Sequence, residues 1–310
     1  MPRRRAKSRP VEQSLTEQRN PASTNLDRFS ADAIVRLMNR EDRKIAIAVA
    51  REIPSIVRAV EAIVHSLQSG GRLFYVGAGT SGRLGVLDAA EIPPTFGIPR
   101  KLVQAVIAGG KRAVTNAVEG AEDAVQNGER ALRLKKLMPK DVVVGIAASG
   151  TTPYVLGALT YARKCKATTV ALTADSKMPV ARVANILIAP EVGPEVLTGS
   201  TRLKAGTAQK MVLNMLSTAV MVRLGHAYDN LMIDLLNTNE KLSDRSLRIL
   251  AAASGKNLSA SKRALRQAGH NLRVALVMLK KNLGPAAAKR LLKKSGGNLR
   301  CALGEAQQRL

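Results

Sequence analysis

Between residues 70 and 190 the chain alternates short apolar runs with segments of helical period, and this alternation limits its fold more than any other feature. The runs at 73–76 (LFYV), 102–107 (LVQAVI), 141–146 (DVVVGI), 168–173 (TTVALT) and 186–189 (ILIA) are short and rich in Val, Leu and Ile. Apolar runs of that length, without polar alternation, fit strands buried on both faces. Strands separated by helices build a parallel sheet with helices on either side. The expected fold is therefore α/β, a three-layer parallel-sheet sandwich. Ahead of it, Ser30 fits an N-cap for a helix whose Ile34, Leu37 and Met38 share a face. Residues 45–68 continue as helix, with Ile53, Ile56, Val57, Val60 and Ile63 spaced by three or four and Pro54 kinking or restarting it. Residues 113–134 and 153–164 also read as helices, and 199–236 as mostly helical.

Two loops end strands in glycine and hydroxyl residues. Gly77-Ala78-Gly79-Thr80-Ser81-Gly82 follows the first run, and Ser149-Gly150-Thr151-Thr152 follows the third. In an open parallel sheet, ligands bind beyond the C-terminal strand ends, where helix N-termini present free N–H groups and positive dipole ends. Glycine lets the backbone approach an anion, and Ser or Thr hydroxyls donate to its oxygens, so a phosphomonoester is the expected ligand. Gly77-x-Gly79-x-x-Gly82 matches the dinucleotide fingerprint in letter, but the next strand ends in Ala108-Gly109-Gly110 without the acid such a site needs. Neither loop carries a Walker lysine. Glu91 precedes Ile92-Pro93-Pro94, where the helix is expected to break, which would set its carboxyl at a helix end. AVEGAED at 117–123 supplies Glu119, Glu122 and Asp123. Further along, Glu195, Ser200, Arg202 and Lys204 either line the same pocket or simply cap the helix that follows.

Charge is concentrated at the two ends. The formal net charge is +26. Residues 1–10 hold five basic residues and no acid, and residues 241–310 hold 16 Lys/Arg against Asp244 and Glu305. Nucleic acid is nonetheless not the expected partner. The excess lies outside the segment with the glycine loops, and only 2% of residues are aromatic, which leaves little for base stacking. No apolar stretch is long enough for a membrane span, and Cys165 and Cys301 fit no metal spacing, so a reduced, cytoplasmic chain without a metal site is expected. In the C-terminal part, GHNLRVAL at 269–276 recurs as GGNLRCAL at 296–303, and GKNL at 255–258 echoes their start. These units read as helix-to-helix turns in a small helical bundle, with glycine supplying positive φ.

Several long motifs stand together in the chain: GAGTSGRLGVLDAAEIPPTFG, AVEGAED, VVVGIAASGTTPYV and TGSTRLKAGTAQKMVLNMLSTAVM, followed by NLMIDL and TNEKL. Together they resemble the N-acetylmuramic acid 6-phosphate etherase family of the sugar isomerase (SIS) phosphosugar-binding superfamily. The resemblance implies a cytoplasmic homodimeric lyase that uses no cofactor. It implies a phosphosugar substrate whose D-lactyl ether is cleaved to give N-acetylglucosamine 6-phosphate and D-lactate, in recycling of cell-wall amino sugars. By the same resemblance Glu91 falls on the proton donor and Glu122 on the second catalytic acid, with the division of roles between them left open. Gly79, Thr80, Ser81, Ser149, Gly150 and Thr152 fall on the phosphosugar loops. The domain plan it implies is a basic arm over 1–25, an SIS catalytic domain over 26–243, and a three-helix module over 244–310. The Arg-rich start and the basic C-terminal part exceed what the family leads one to expect.

Two other readings belong to different classes. A non-catalytic phosphosugar sensor would resemble the glucokinase regulatory proteins, which carry two SIS domains where this chain has room for one. A phosphosugar-responsive DNA-binding regulator would need an N-terminal recognition helix, and residues 1–29 are too short and too polar to supply it.

Overall fold

The computed structural model describes residues 14–235 and 240–305, with the backbone alone at 240 and 241. The basic residues at 1–10, and Thr238 and Asn239 of the TNEKL motif, lie outside the described residues.

Five strands, β1 (Leu73–Gly77), β2 (Val103–Ile107), β3 (Val142–Ile146), β4 (Thr168–Leu172) and β5 (Ile186–Ile188), pair in parallel in the order β2-β1-β3-β4-β5. Alternate strand residues face opposite layers. Leu73, Tyr75, Val142, Val144, Val170 and Leu172 join one core with helices α1 (Ala31–Arg51), α2 (Ile53–Gln68), α3 (Gly79–Phe96) and α8 (Lys204–Arg223). Phe74, Val76, Val143 and Ala171 join a second core with α5 (Val125–Leu134), α6 (Pro153–Lys164) and α7 (Pro179–Arg182). The short helix α4 (Arg112–Thr115) follows β2. The three-layer sandwich expected from the alternating runs is the observed architecture.

Local structure departs from expectation in four places. Residues 113–134 are not one helix: the chain leaves α4 at Asn116 in extended conformation and turns at Gly120 (φ 68°) before α5 begins. The helix carrying Glu91 does not break there either. α3 runs through Pro93 and Pro94, the Thr95 hydroxyl donates to the Glu91 carbonyl at 2.7 Å, and the helix stops at Gly97 in the left-handed region. Pro54, by contrast, sits in the first turn of α2, where its missing N–H costs no helical bond, so it restarts the helix. Third, the segment up to residue 25, whose Arg, Pro, Ser, Thr, Gln and Asn content predicts a mobile or extended arm, is packed from Ser14 onward, in single turns at Leu15–Glu17 and Pro21–Ser23 that lead to a third at Leu26–Arg28. Its polar groups find buried partners: Leu15 N–H donates to Asp175, and the Asn20 amide donates to Glu41 and to the Pro194 carbonyl.

The fourth departure is the C-terminal bundle, which has five helical segments among the described residues where three were expected: α9 (Glu240–Ser254), α10 (Leu258–Gln267), α11 (Leu272–Lys281), α12 (Pro285–Lys294) and α13 (Leu299–Leu303). The repeated Gly-x-Asn-Leu units explain three of the joints. Gly255, Gly269 and Gly296 take positive φ, and Asn257, Asn271 and Asn298 then cap the next helix by accepting from Ala260, Val274 and Cys301 N–H. The bundle core also takes in Tyr228, Ile233 and Leu235, which precede its first helix. Asp234 clamps it to the sandwich, bridging Arg273 of α11 and His226, while Arg273 also donates to the Gly225 carbonyl.

Candidate functional site: the edge between β1 and β3

β1 is the strand at which the chain reverses direction across the sheet, with β2 on one side and β3 on the other, so the crevice at its C-terminal end is where an α/β sheet binds ligands. Gly77 pairs with Ile146, which brings both glycine loops out side by side.

The first loop turns directly into α3. Its opening helical bond, Gly82 N–H to the Ala78 carbonyl (3.0 Å), forces Gly82 against Gly77. A Cβ on Gly82 would lie 2.6 Å from Ile107 Cγ1 and 2.8 Å from the Gly77 oxygen, so no other residue fits. The N–H groups of that first turn have no helical acceptor and carry the positive end of the dipole. Gly79 is exposed and Thr80 half-buried at the mouth, whereas Ser81 is buried and its hydroxyl donates to Gln209 Oε1 at 2.9 Å. In the second loop Gly150 takes φ 71°, where an added Cβ would collide with Met178. Ser149 and Thr152 are half-buried, and Thr152 is the N-cap residue of α6 with its hydroxyl unused for capping.

Glu122 lies beside this second loop. Its carbonyl accepts from Tyr154 N–H at 2.9 Å, in the first turn of α6, and its side chain is exposed. The segment leading to it is held from the other side, where Arg83 of α3 donates to the carbonyls of Val114 (3.1 Å) and Asn116 (2.8 Å). Arg83 was not singled out in the sequence. Glu91 is exposed on α3, nine residues beyond Gly82 and twelve beyond Gly79, which at the helical rise puts it about 14–18 Å along the axis from the first loop. One turn before it, Asp88 is buried and accepts from Tyr75 (2.9 Å), Asn214 (2.9 Å) and Ser217 (3.0 Å), fastening α3 to β1 and α8. Burial pushes the Asp88 carboxyl up, against the pull of those donors.

The start of α8 completes the rim. Gly206, in its first turn, lies against Thr80. Ser200 is half-buried and Arg202 exposed in the turn just before it. Glu195 and Lys204, expected as possible pocket-lining residues, are spent in the scaffold. Glu195 is fully buried and accepts from the Lys204 and Ala205 N–H groups at 3.0 and 2.9 Å, so it caps α8; burial raises its pKa against those donors. The Lys204 ammonium, 2% exposed, is 2.8 Å from Glu41 Oε2. Burial opposes the Glu41 charge, but bonds from Lys204, Lys44 and Asn20 outweigh it and hold the carboxyl at about 2. Glu41 and Gln209 escaped sequence reasoning, although a signal existed: each is a lone polar residue on an apolar helical stripe, Leu37-Glu41-Ile45 and Ala205-Gln209-Leu213. Among the described residues, no cluster of three His, Cys, Asp or Glu side chains is placed to hold a metal ion.

A family model described as the glucokinase regulatory protein N-terminal SIS domain matches residues 55–163, and the SIS domain model matches residues 114–219. The N-acetylmuramic acid 6-phosphate etherase of Pectobacterium atrosepticum is 52% identical over 273 residues, covering 88% of this chain and 90% of that protein. The chain belongs to the N-acetylmuramic acid 6-phosphate etherase family. The etherase of Clostridium beijerinckii is 50% identical over 268 residues, 86% of this chain and 88% of its own length. A phosphoheptose isomerase from Francisella tularensis, 19% identical, superposes with a TM-score of 0.50 over 63% of this chain and 100% of that one, and shares its fold. As an etherase the protein is an enzyme, a carbon–oxygen lyase, and the sugar isomerase sandwich expected from the motifs is the one observed.

Proposed function

We propose that this etherase cleaves the D-lactyl ether of N-acetylmuramic acid 6-phosphate in the cytoplasm, giving N-acetylglucosamine 6-phosphate and D-lactate for recycling of cell-wall sugar. The loops at 77–82 and 149–152 hold the 6-phosphate. Gly79, Thr80 and Ser81 meet it from α3, and Ser149, Gly150 and Thr152 from α6. Ser200 and Arg202 close the rim, where the guanidinium meets the lactyl carboxylate. Glu195 and Lys204 serve the site from behind, by fixing the first turn of α8.

The chemistry needs two carboxyl groups. Opening of the sugar ring exposes an aldehyde at C1, which acidifies the proton on C2. Glu122 removes that proton as general base. Electrons flow into a C2–C3 double bond as the C3–O bond breaks, and Glu91 protonates the departing lactate. Water then adds at C3 and a proton returns to C2, so the sum is substrate plus water to the two products. Proton transfers by placed side chains contribute typically 10²–10⁴-fold each.

The observation that carries this reading is the pairing of two anion-binding loops on adjacent strands with the Glu122 backbone hydrogen-bonded to the helix rising from the second. Glu91 lies further along α3 from the first loop than one sugar spans, so it serves the site of a second copy, and the working enzyme is a homodimer. The apolar surface beside it supports this. Leu87, 52% exposed, precedes Glu91 by one turn on the same face of α3, and Met215 and Val222 of the neighbouring α8 are also exposed.

The test is D-lactate release from N-acetylmuramic acid 6-phosphate in ¹⁸O water and in D₂O. The label belongs on the sugar C3 hydroxyl and not in lactate, and deuterium belongs at C2. Lactate carrying ¹⁸O would sink the elimination. Saturable sugar-phosphate binding with no lactate from the wild type would point instead to a phosphosugar sensor.

A further inference from the structure

We infer that Gln209 is a positioning residue for the phosphate site, acting through Ser81. The inference rests on the reading of the 77–82 loop as the phosphate anchor.

Gln209 sits in α8, one turn beyond Gly206, the residue that lies against Thr80. It is 2% exposed, and its Oε1 accepts the Ser81 hydroxyl proton at 2.9 Å. Its Nε2 is buried with no hydrogen-bond partner among the described residues. The unpaired Nε2 runs against the ordinary rule that buried polar groups are paired. As arranged, the Ser81 proton points into the protein and only its lone pairs remain for a ligand. That is the wrong polarity for a phosphate, which offers acceptors. Ser81 nevertheless occupies the third position of α3, in the turn whose free N–H groups face the crevice.

The two ends of a carboxamide have nearly the same shape, so a half-turn of the Gln209 amide exchanges them within the same cavity. After that turn Nε2 donates to Ser81 Oγ, and the Ser81 proton is released toward the crevice. The hydroxyl then donates to a phosphate oxygen, a charge-assisted bond. The buried donor gains its partner at the same moment. Phosphate binding and the amide turn are thus coupled: the anion stabilises the orientation in which the amide donor, the Ser81 hydroxyl and the phosphate are all paired, and the end left without a partner is the Oε1 acceptor, which is less costly to leave unpaired than a buried N–H. Gln209 itself does not touch the sugar.

The test uses the full-length enzyme and compares Gln209→Met, which keeps length and removes both amide atoms, with Ser81→Ala and with the double variant. The readouts are kcat and KM for lactate release, competitive inhibition by inorganic phosphate, and the melting temperature with and without phosphate. Gln209→Met is expected to raise KM and the phosphate inhibition constant together by about tenfold, the worth of one hydrogen bond to a charged group, with kcat within about twofold. In the double variant the loss is expected to equal that of Ser81→Ala alone, because the two act on one bond. Gln209→Glu, equal in shape but acceptor-only when ionised, keeps the Ser81 proton turned inward and is expected to weaken phosphate inhibition more than Gln209→Met does. A Gln209→Met enzyme with a lowered melting temperature but unchanged phosphate inhibition would overturn the inference and leave Gln209 a packing residue. Additive losses in the double variant would overturn it as well. If the wild type neither releases lactate nor is inhibited by phosphate, the reading of the loop itself fails, a result distinct from either.

Discussion

At the scale of single residues, the most exposed dependency in the molecule is a buried one. Lys204 buries an ammonium to 2% exposure, and Glu41 is the counter-charge that makes this tolerable. Removing one member of a buried pair leaves an uncompensated charge, which costs about 3–5 kcal/mol. Glu41→Gln is therefore expected to lower stability by that order in urea unfolding. Adding Lys204→Met, which removes the stranded charge with its partner, is expected to recover most of the loss. The same pair sets an acid limit. The Glu41 carboxyl is held at about 2 in the folded protein against an ordinary value of 4.5. A depressed carboxylate contributes its full stability above the unfolded value and loses it as pH falls toward the folded one. Melting temperatures followed from pH 5 to pH 2 should fall in the wild type, and this part of the fall should be missing in Glu41→Gln. Residues of this kind were the least legible in the sequence. Glu91 and Glu122 stood out because long motifs surround them, whereas Glu41 looks like any solvated helix acid until the burial of Leu37 and Ile45 on either side is known.

Among elements, the strands were legible because burial on both faces leaves short runs dominated by Val, Leu and Ile, without polar alternation. The five runs found in the sequence are the five strands of the sheet, with ends shifted by at most two residues. The loops were legible because close backbone approach admits only glycine. That makes Gly82→Ala a test of the element and not of one contact. With Ile107 Cγ1 at 2.6 Å and the Gly77 oxygen at 2.8 Å, the new methyl must push α3 away from β1 and carry the first-turn N–H groups with it. The expected result is a loss of phosphosugar affinity larger than the loss of stability, measured by inorganic phosphate inhibition beside the melting temperature. Comparable losses in both would mean that the loop holds the fold more than the ligand. Helix ends were harder to read. Two prolines after Glu91 look like a stop, but α3 continues through both: their missing N–H groups leave only the Ala89 and Ala90 carbonyls without a helical donor, and the Thr95 hydroxyl adds a bond to the Glu91 carbonyl in the same turn. The reverse happens at 116–124, where apolar spacing looks helical yet Gly120 turns the chain and Tyr154 N–H captures the Glu122 carbonyl.

For the whole molecule, the roles proposed for the two glutamates pose a geometric problem that a dimer resolves. The helix begins at the first glycine loop and carries Glu91 five residues before its end at Phe96, so along one rigid element the proposed anchor and the proposed acid stand about 14–18 Å apart. Glu122 stands close to the anchor through its bond to α6. If the two glutamates meet around one substrate, they come from different copies, related by a twofold axis near the exposed Leu87 face. Mixing experiments decide this. Glu91→Gln and Glu122→Gln, each inactive alone, are unfolded together and refolded at equal ratio. Half of the dimers are then mixed, and in a mixed dimer one site receives both native glutamates while the other receives neither. About a quarter of wild-type lactate release should return. Recovery near zero would place both acids of a site in one chain and require α3 to bend far from its present course. Leu87→Asp supplies the complementary measurement. A charge at the centre of the proposed contact should shift the protein to monomer on a sizing column and abolish lactate release. The phosphate loops of the isolated copy, complete within one chain, should still bind inorganic phosphate.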